Sequence, residues 1–304
     1  MKEDFLKEEV RCDFSVSSKR KRIWQVEIDL IEQLDSICKK YHLRYFASNG
    51  TLLGVIRHQG FVPWDDDVDI VMPRPDYEKL LEVAEKELSH PYFLQHAKND
   101  TEYYRNYSRL RNRNTTAKTK RGWDKNSCHG IFIDIFPLDG CYGNKLLEKW
   151  QMLRVKLYGA MANTFVYYDE FSNTWFRKVL YFMAKLYCRN GSLNSLVDKI
   201  EKIRCKIPYE AADDVYMICH GGKTVRFPKN YFAESIQMDF EYIKLPVPKE
   251  YDEMLKLHYG DYKKLPSVEK RGEHHSIFFD PDKSYTEYRG TLSLEEAEPM
   301  FNNY

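Results

Sequence analysis

The stretch Ser48-Asn-Gly-Thr-Leu-Leu-Gly-Val-Ile-Arg-His-Gln-Gly-Phe-Val-Pro-Trp-Asp-Asp-Asp-Val-Asp-Ile-Val-Met72 holds a turn, a short apolar helix and a strand headed by carboxylates. Ser48 to Thr51 reads as the turn, Leu52–His58 as the helix, and Gln59-Gly60 breaks it. Val68–Met72 has the apolar texture of a strand. Asp65, Asp66, Asp67 and Asp69 repel one another, and their pKa values rise unless a cation compensates. Residues two apart on a strand share a face, so Asp67 and Asp69 project together while Val68 and Ile70 enter the core. Two carboxylates aimed at one point make a hard-oxygen site for Mg²⁺ (or Mn²⁺), which keeps several waters and leaves room for substrate phosphates. A solvated acidic turn or a structural calcium loop is the bland alternative. The buried character of Ile70-Val71-Met72 argues against it.

Working outward, Asp134 lies inside Gly130-Ile-Phe-Ile-Asp-Ile-Phe-Pro137. A charge in so apolar a strand is expensive unless paired or metal-bound. Asp67, Asp69 and Asp134 are therefore the expected catalytic and metal-holding carboxylates, with Asp65 and Asp66 orienting them from behind. Upstream, Asn49, Gly50 and Thr51 precede a helix whose first N–H groups can receive an anion, and glycine lets phosphate come close to the backbone. Further candidates for substrate or phosphate contact are Arg57 and His58 on the same helix, Trp64, the alternating Arg109 and Arg111, and the pair His274-His275. A surface role for Arg57, His58 and the histidine pair, ordinary packing for Trp64, and a charged outer sheet face for the arginines remain open.

The bulk properties frame this site. With 47 basic and 46 acidic side chains in 304 residues, the net charge of +1 gives no global pull toward nucleic acid, and no nucleic-acid partner is expected. The first residues lack the basic-then-apolar pattern of a secretory signal, and no run approaches the roughly 18 apolar residues that span a bilayer. The 7 cysteines are scattered, without a Cys-x-x-Cys pair, which fits reduced thiols and a cytoplasmic location. A helix is expected from residue 19, with Ile23, Val26, Leu30, Leu34, Ile37 and Tyr41 as its apolar stripe. A second helix follows Pro75, and strands are expected at Leu43–Ala47, Tyr92–Gln95, Tyr107–Arg111 and Gly130–Phe136. The chain divides into a catalytic core, 19–144, and a mostly helical substrate or acceptor region, 145–304, packed on it as one unit. The fold class is α/β (α+β). Trp150, Leu153, Leu157, Trp175, Phe176 and Met183, among others in 145–189, are read chiefly as core, with peripheral membrane contact as the alternative.

The segment quoted above, together with Arg109-Leu-Arg-Asn-Arg-Asn-Thr115, Gly130-Ile-Phe-Ile-Asp-Ile-Phe-Pro-Leu-Asp139 and the late Tyr259-Gly-Asp-Tyr262 and Glu269-Lys-Arg-Gly-Glu-His-His275, resembles the LicD family. The likeness runs from about residue 23 to 145 and resumes near 250–276. It implies a nucleotidyltransferase-like core, a small mixed sheet flanked by helices, with a helical C-terminal half beside it. Gly50-Thr51, Asp67-Val68-Asp69 and Asp134 fill the places of that fold's turn, Asp-x-Asp strand and third carboxylate. The implied activity is metal-dependent transfer of phosphocholine, or a related substituted phosphate, from a CDP-linked donor such as CDP-choline. The acceptor is a hydroxyl of a teichoic acid or lipopolysaccharide precursor, free or lipid-linked, at the inner face of the plasma membrane, and CMP is released. A nucleotidyltransferase that releases pyrophosphate and an inactive glycan- or nucleotide-binding module are the alternatives.

Overall fold

The computed structural model describes residues 2–120, 123, 125–167, 174–188, 193–218, 224–271, 277–297 and 299. Its helices are α1 (Lys2–Phe5), α2 (Ser18–Tyr41), α3 (Asn49–His58), α4 (Arg74–Glu87), α5 (Lys145–Val166), α6 (Trp175–Tyr187), α7 (Asn194–Arg204), α8 (Tyr251–Tyr259) and α9 (Leu294–Ala297). The first strands are β1 (Glu9–Arg11), β2 (Phe14–Val16), β3 (Phe46–Ala47), β4 (Asp69–Pro73), β5 (Tyr92–Gln95), β6 (Ser108–Asn112), β7 (Thr116–Thr119) and β8 (Ile131–Gly140). They are followed by β9 (Asp214–Ile218), β10 (Thr224–Pro228), β11 (Ser235–Phe240), β12 (Ile243–Pro248) and β13 (Ile277–Asp280). No helix among the described residues is long and apolar enough to cross a membrane.

Strand β8 is the axis of the fold. All ten of its residues are buried, as expected of a strand covered on both faces. The main sheet runs β10-β9-β8-β4-β3, with β6 and then β5 on the other edge of the first half of β8. Only β4 and β8 run parallel; the other pairings in this sheet are antiparallel. Pro137 is tolerated in the middle of β8 for a specific reason. The Asp134 N–H bonds Val68 O on the β4 side, so the missing N–H of residue 137 falls on the opposite edge. There β6 pairs no further than Ile135 and β9 begins only at Asp139, and no ladder bond is lost.

Helix α2 packs along this sheet through the expected stripe. Ser17 caps it, accepting the Arg20 N–H at 3.1 Å, and His42 ends it at φ 55°. Ile23, Ile28, Leu30, Ile31 and Leu34 are buried, and Trp24 stacks on Phe61 with ring centroids 4.6 Å apart. Helix α4 begins, as read, at its proline-containing first turn. A buried ion triad joins three elements: Arg74 at the start of α4 grips both oxygens of Asp139 on β8 (2.6 and 2.9 Å), and Arg204 on α7 bonds the same carboxylate at 2.8 Å.

Two sequence expectations change in extent. The strand read at Leu43–Ala47 shrinks to Phe46–Ala47, because the Leu43 N–H is still spent on Cys38 O at the end of α2. In the mostly helical region expected from residue 145, α5, α6 and α7 run as far as Arg204, and past it only the short helices α8 and α9 stand among strands in the described residues. Beyond it β9 and β10 continue the main sheet from the far end of β8, β11 and β12 form a hairpin, and β13 pairs with β7. These strands are short, and several carry polar residues on exposed faces, so their apolar pattern is too sparse to read.

Candidate active site

The link from β3 through α3 to β4 builds one side of the site. Ser48 N–H bonds Asp69 O at 3.0 Å, which brings the start of α3 against the head of β4. Asn49 adopts φ 44°, a left-handed conformation that asparagine tolerates better than most residues. From there its amide donates to Asp69 Oδ2 at 2.9 Å. Thr51 Oγ1 accepts the Asp69 N–H at 2.8 Å. The Asn49 Oδ1 atom is buried without a hydrogen-bond partner, an acceptor left over at the edge of a cluster of anions. Gly50 has a steric role: a Cβ there would stand 2.3 Å from Asp65 Oδ2. The glycine therefore makes room for a carboxylate of the chain itself, where the sequence reading gave that room to phosphate.

The other side is a row across three strands. Asp69 on β4, Asp134 on β8 and Arg109 on β6 are register partners, so their side chains leave one face of the sheet. Arg109 donates to both Asp134 oxygens, at 2.7 and 3.3 Å, and its guanidinium lies 3.6 Å from the Phe132 ring centroid. The sequence reading gave Arg109 to substrate; the structure spends it on Asp134. Asp67 precedes β4. Among the described residues, the acidic group whose oxygens come within 4.8 Å of one another is Asp65, Asp66 and Asp67. Asp67 thus belongs both to this triplet and to the electrostatic neighbourhood of Asp69 and Asp134.

The charges are severely crowded. Burial, then Asp69, Asp66 and Asp134, push the Asp67 carboxyl well above its ordinary range, against a bond from Asp65. Burial and Asp134 raise Asp69 to about 8, against the Asn49 bond and the Arg109 charge. Sequence reasoning missed Glu27 on α2, which is 1% exposed with Oε2 unpartnered. Burial, then Asp67, Asp66 and Asp65, drive its pKa up strongly. The signal was present: Glu27 interrupts the 23-27-30-34 spacing of an apolar helix face. Arg20 of the same helix holds the triplet from the backbone by donating to Asp65 O at 2.9 Å.

A raised carboxyl in the metal-free protein has a measurable consequence. With Asp69 near 8 when folded and about 4 when unfolded, the folded chain keeps a proton that the unfolded chain has released. Stability of the metal-free protein therefore falls as pH rises through that window. A divalent cation takes the place of the proton. The thermal upshift given by Mg²⁺ is expected to be larger at pH 8 than at pH 6, as read by differential scanning fluorimetry. An equal or inverted pair of shifts would exclude these carboxylates from cation binding.

The remaining candidates form a second layer. Trp64 is buried, with Arg57 and Arg271 at 6.0 and 5.0 Å from its ring centroid and Phe14 and His58 edge-on. Its surroundings are filled by the protein's own side chains. Arg57 donates to Tyr262 O and to His58 Nε2, both at 2.9 Å. Burial, then Arg57 and Arg11, lower His58 to about 4, so its ring is neutral at pH 7. Arg111 is buried, directed at Gln95 and Gly130 O, and lowered to about 10 by burial and Arg109; it braces β6 and is not free to clamp a ligand. His274 and His275 lie outside the described residues.

The arrangement fits a hard divalent cation. Several carboxylates face one another with too little positive charge, a buried amide oxygen stands beside them without a partner, and a glycine is required to let one carboxylate in. The lipopolysaccharide cholinephosphotransferase LicD of Haemophilus influenzae is 27% identical over 264 residues, covering 82% of this chain and 92% of the relative. An uncharacterized protein of Rickettsia typhi is 28% identical over 132 residues, 43% of this chain and 40% of its own length. One of Rickettsia prowazekii is 37% identical over 54 residues, 18% and 20% of the two chains. Residues 42–178 match the LicD/FKTN/FKRP nucleotidyltransferase domain, a span that contains Asn49, Asp65 to Asp69, Arg109 and Asp134. Residues 42–178 of this chain are therefore a nucleotidyltransferase domain of the LicD family.

Proposed function

We propose that this protein transfers phosphocholine, or a closely related substituted phosphate, from a CDP-linked donor to a hydroxyl of a cell-surface glycan precursor. The observation that carries the reading is the register of Asp69 with Asp134 on the parallel pair β4 and β8, with Asp67 beside them. The similarity to a lipopolysaccharide cholinephosphotransferase supports the choice of group and acceptor class. Asp67, Asp69 and Asp134 would hold Mg²⁺ or Mn²⁺. When bound, the ion neutralises the donor diphosphate and the charge that develops on its leaving oxygen.

The protein's own groups do the rest. Asn49 donates to the Asp69 carboxylate and Thr51 accepts the Asp69 backbone N–H, which holds the head of β4 rigid. The acceptor hydroxyl attacks the phosphorus distal to the nucleoside, a new P–O bond forms, the bridging P–O bond breaks, and CMP departs with the electron pair. Asp134 receives the hydroxyl proton. Each of its oxygens bonds one Arg109 nitrogen and keeps a second lone pair for that purpose.

A donor screen tests this. CDP-choline, CDP-ethanolamine, CDP-glycerol and CDP-ribitol are offered with a lipopolysaccharide or teichoic acid precursor, and CMP is measured. CMP release with one donor, lost in Asp67→Asn, is the expected result. Pyrophosphate release from a nucleoside triphosphate would favour the nucleotidyltransferase reading instead, and donor binding without turnover the inactive module.

A further inference from the structure

Helices α5 and α6 expose what the sequence reading assigned chiefly to the core. Leu146, Trp150, Leu153 and Leu157 follow one another at i, i+4, i+7 and i+11 on α5, and all four are exposed, Trp150 by 60%. Trp175, Val179, Phe182 and Leu186 repeat the same spacing on α6, with Trp175 exposed by 76% and Phe182 by 62%. Each is a single apolar stripe along its helix. The opposite faces are spent inward: Ala162, Leu180 and Ala184 belong to one buried cluster with Leu196 of α7.

Lysines occupy the same places beside both stripes. Lys149 and Lys156 stand three and ten residues after Leu146; Lys178 and Lys185 stand three and ten after Trp175. All four are exposed. Across the two helices, Lys145, Lys149, Arg154, Lys156, Arg177, Lys178 and Lys185 face a single acid, Glu148, and that acid is already paired with Arg226 at 2.6 Å. A second copy of this chain is a poor occupant for such a face, because a two-fold contact would lay like charges against like charges. Tryptophan and phenylalanine on an apolar stripe bordered by lysine match the chemistry of an anionic bilayer surface, where rings enter the acyl boundary and ammonium groups meet phosphate.

We propose that α5 and α6 dock this protein on the surface of an anionic lipid bilayer, with the two stripes immersed and the flanking lysines on the headgroups. The inference goes beyond the transferase reading and does not depend on it.

Co-sedimentation of the full chain with vesicles tests it. Vesicles of phosphatidylcholine with about 30 mol % phosphatidylglycerol are expected to bind at least about tenfold more protein than phosphatidylcholine alone, and binding should fall with added salt. The double variant Trp150→Glu, Phe182→Glu changes only exposed side chains and should keep its thermal midpoint, yet remain in the supernatant. Lys149→Glu with Lys178→Glu should lose the preference for anionic vesicles. No binding by the wild type, or equal binding by the Trp150/Phe182 variant, would overturn the proposal. So would a wild-type dimer that ignores vesicles and that the Trp150/Phe182 variant converts to monomer. CMP release from a soluble acceptor, measured without vesicles, reads the transferase separately and should be unchanged in these variants.

Discussion

Replacing Asp67 with asparagine is expected to lower transfer activity by about a thousandfold and to leave the fold intact. The substitution keeps the size of the side chain and removes one ligand charge from the place where the acidic triplet meets the strand carboxylates. Several kcal/mol of charge stabilisation by a bound metal corresponds to about three decades in rate. The fold should gain rather than lose. Asp67 is raised well above its ordinary range by burial and by its acidic neighbours, so the folded metal-free protein keeps a proton that the unfolded chain has released, and its stability falls as pH rises. An asparagine never ionises. The variant's thermal midpoint should therefore gain on that of the wild type as pH rises from about 6 to about 8.5. Activity loss accompanied by a lower midpoint at both pH values would mean that Asp67 is a structural residue.

Asp139→Ala is expected to destabilise the core by about 3–5 kcal/mol, because it removes the buried carboxylate shared by two arginines and leaves them only the half-buried Glu201. Arg74 and Arg204 both bond this carboxylate, and all three side chains are nearly inaccessible. Burial by itself would raise the Asp139 pKa, yet Arg204 and Arg74 overrule it and hold the carboxyl below its ordinary value. The contribution is therefore present above about pH 4 and is lost only as pH falls through the depressed value. Urea denaturation at pH 7 measures it. A loss below about 1 kcal/mol would show that the triad is dispensable and that α4 and α7 are held to β8 by apolar packing alone.

The parts of this structure that were legible in the sequence are those with local causes. The segment from Ser48 to Met72 announces its turn, helix and strand because each break is marked by Asn-Gly, Gln-Gly or a change of apolar period. Asp134 is visible because a lone acid in a run of isoleucine and phenylalanine has no cheap explanation. Arg109 was visible only as a positive charge; that it belongs to Asp134 follows from the β6–β8 register, which is set by contacts distant in sequence. Glu27 was legible only as one acid interrupting an otherwise regular apolar helix face. Periodicity identified the apolar faces of α5 and α6 but not what they meet, since an amphipathic stripe looks the same whether it covers a core or a membrane. Strands β9 to β12 gave no usable pattern, because their partners, not their residues, make them strands.

The most direct measurement is an anomalous difference map from a crystal soaked in Mn²⁺. A peak is expected within coordination distance of Asp67 and Asp69, about 2.1–2.3 Å, on the side of β4 that faces Asp134. A peak held by Asp65 and Asp66 with Asp69 and Asp134 left uncoordinated, or no peak in this region at all, would contradict that expectation.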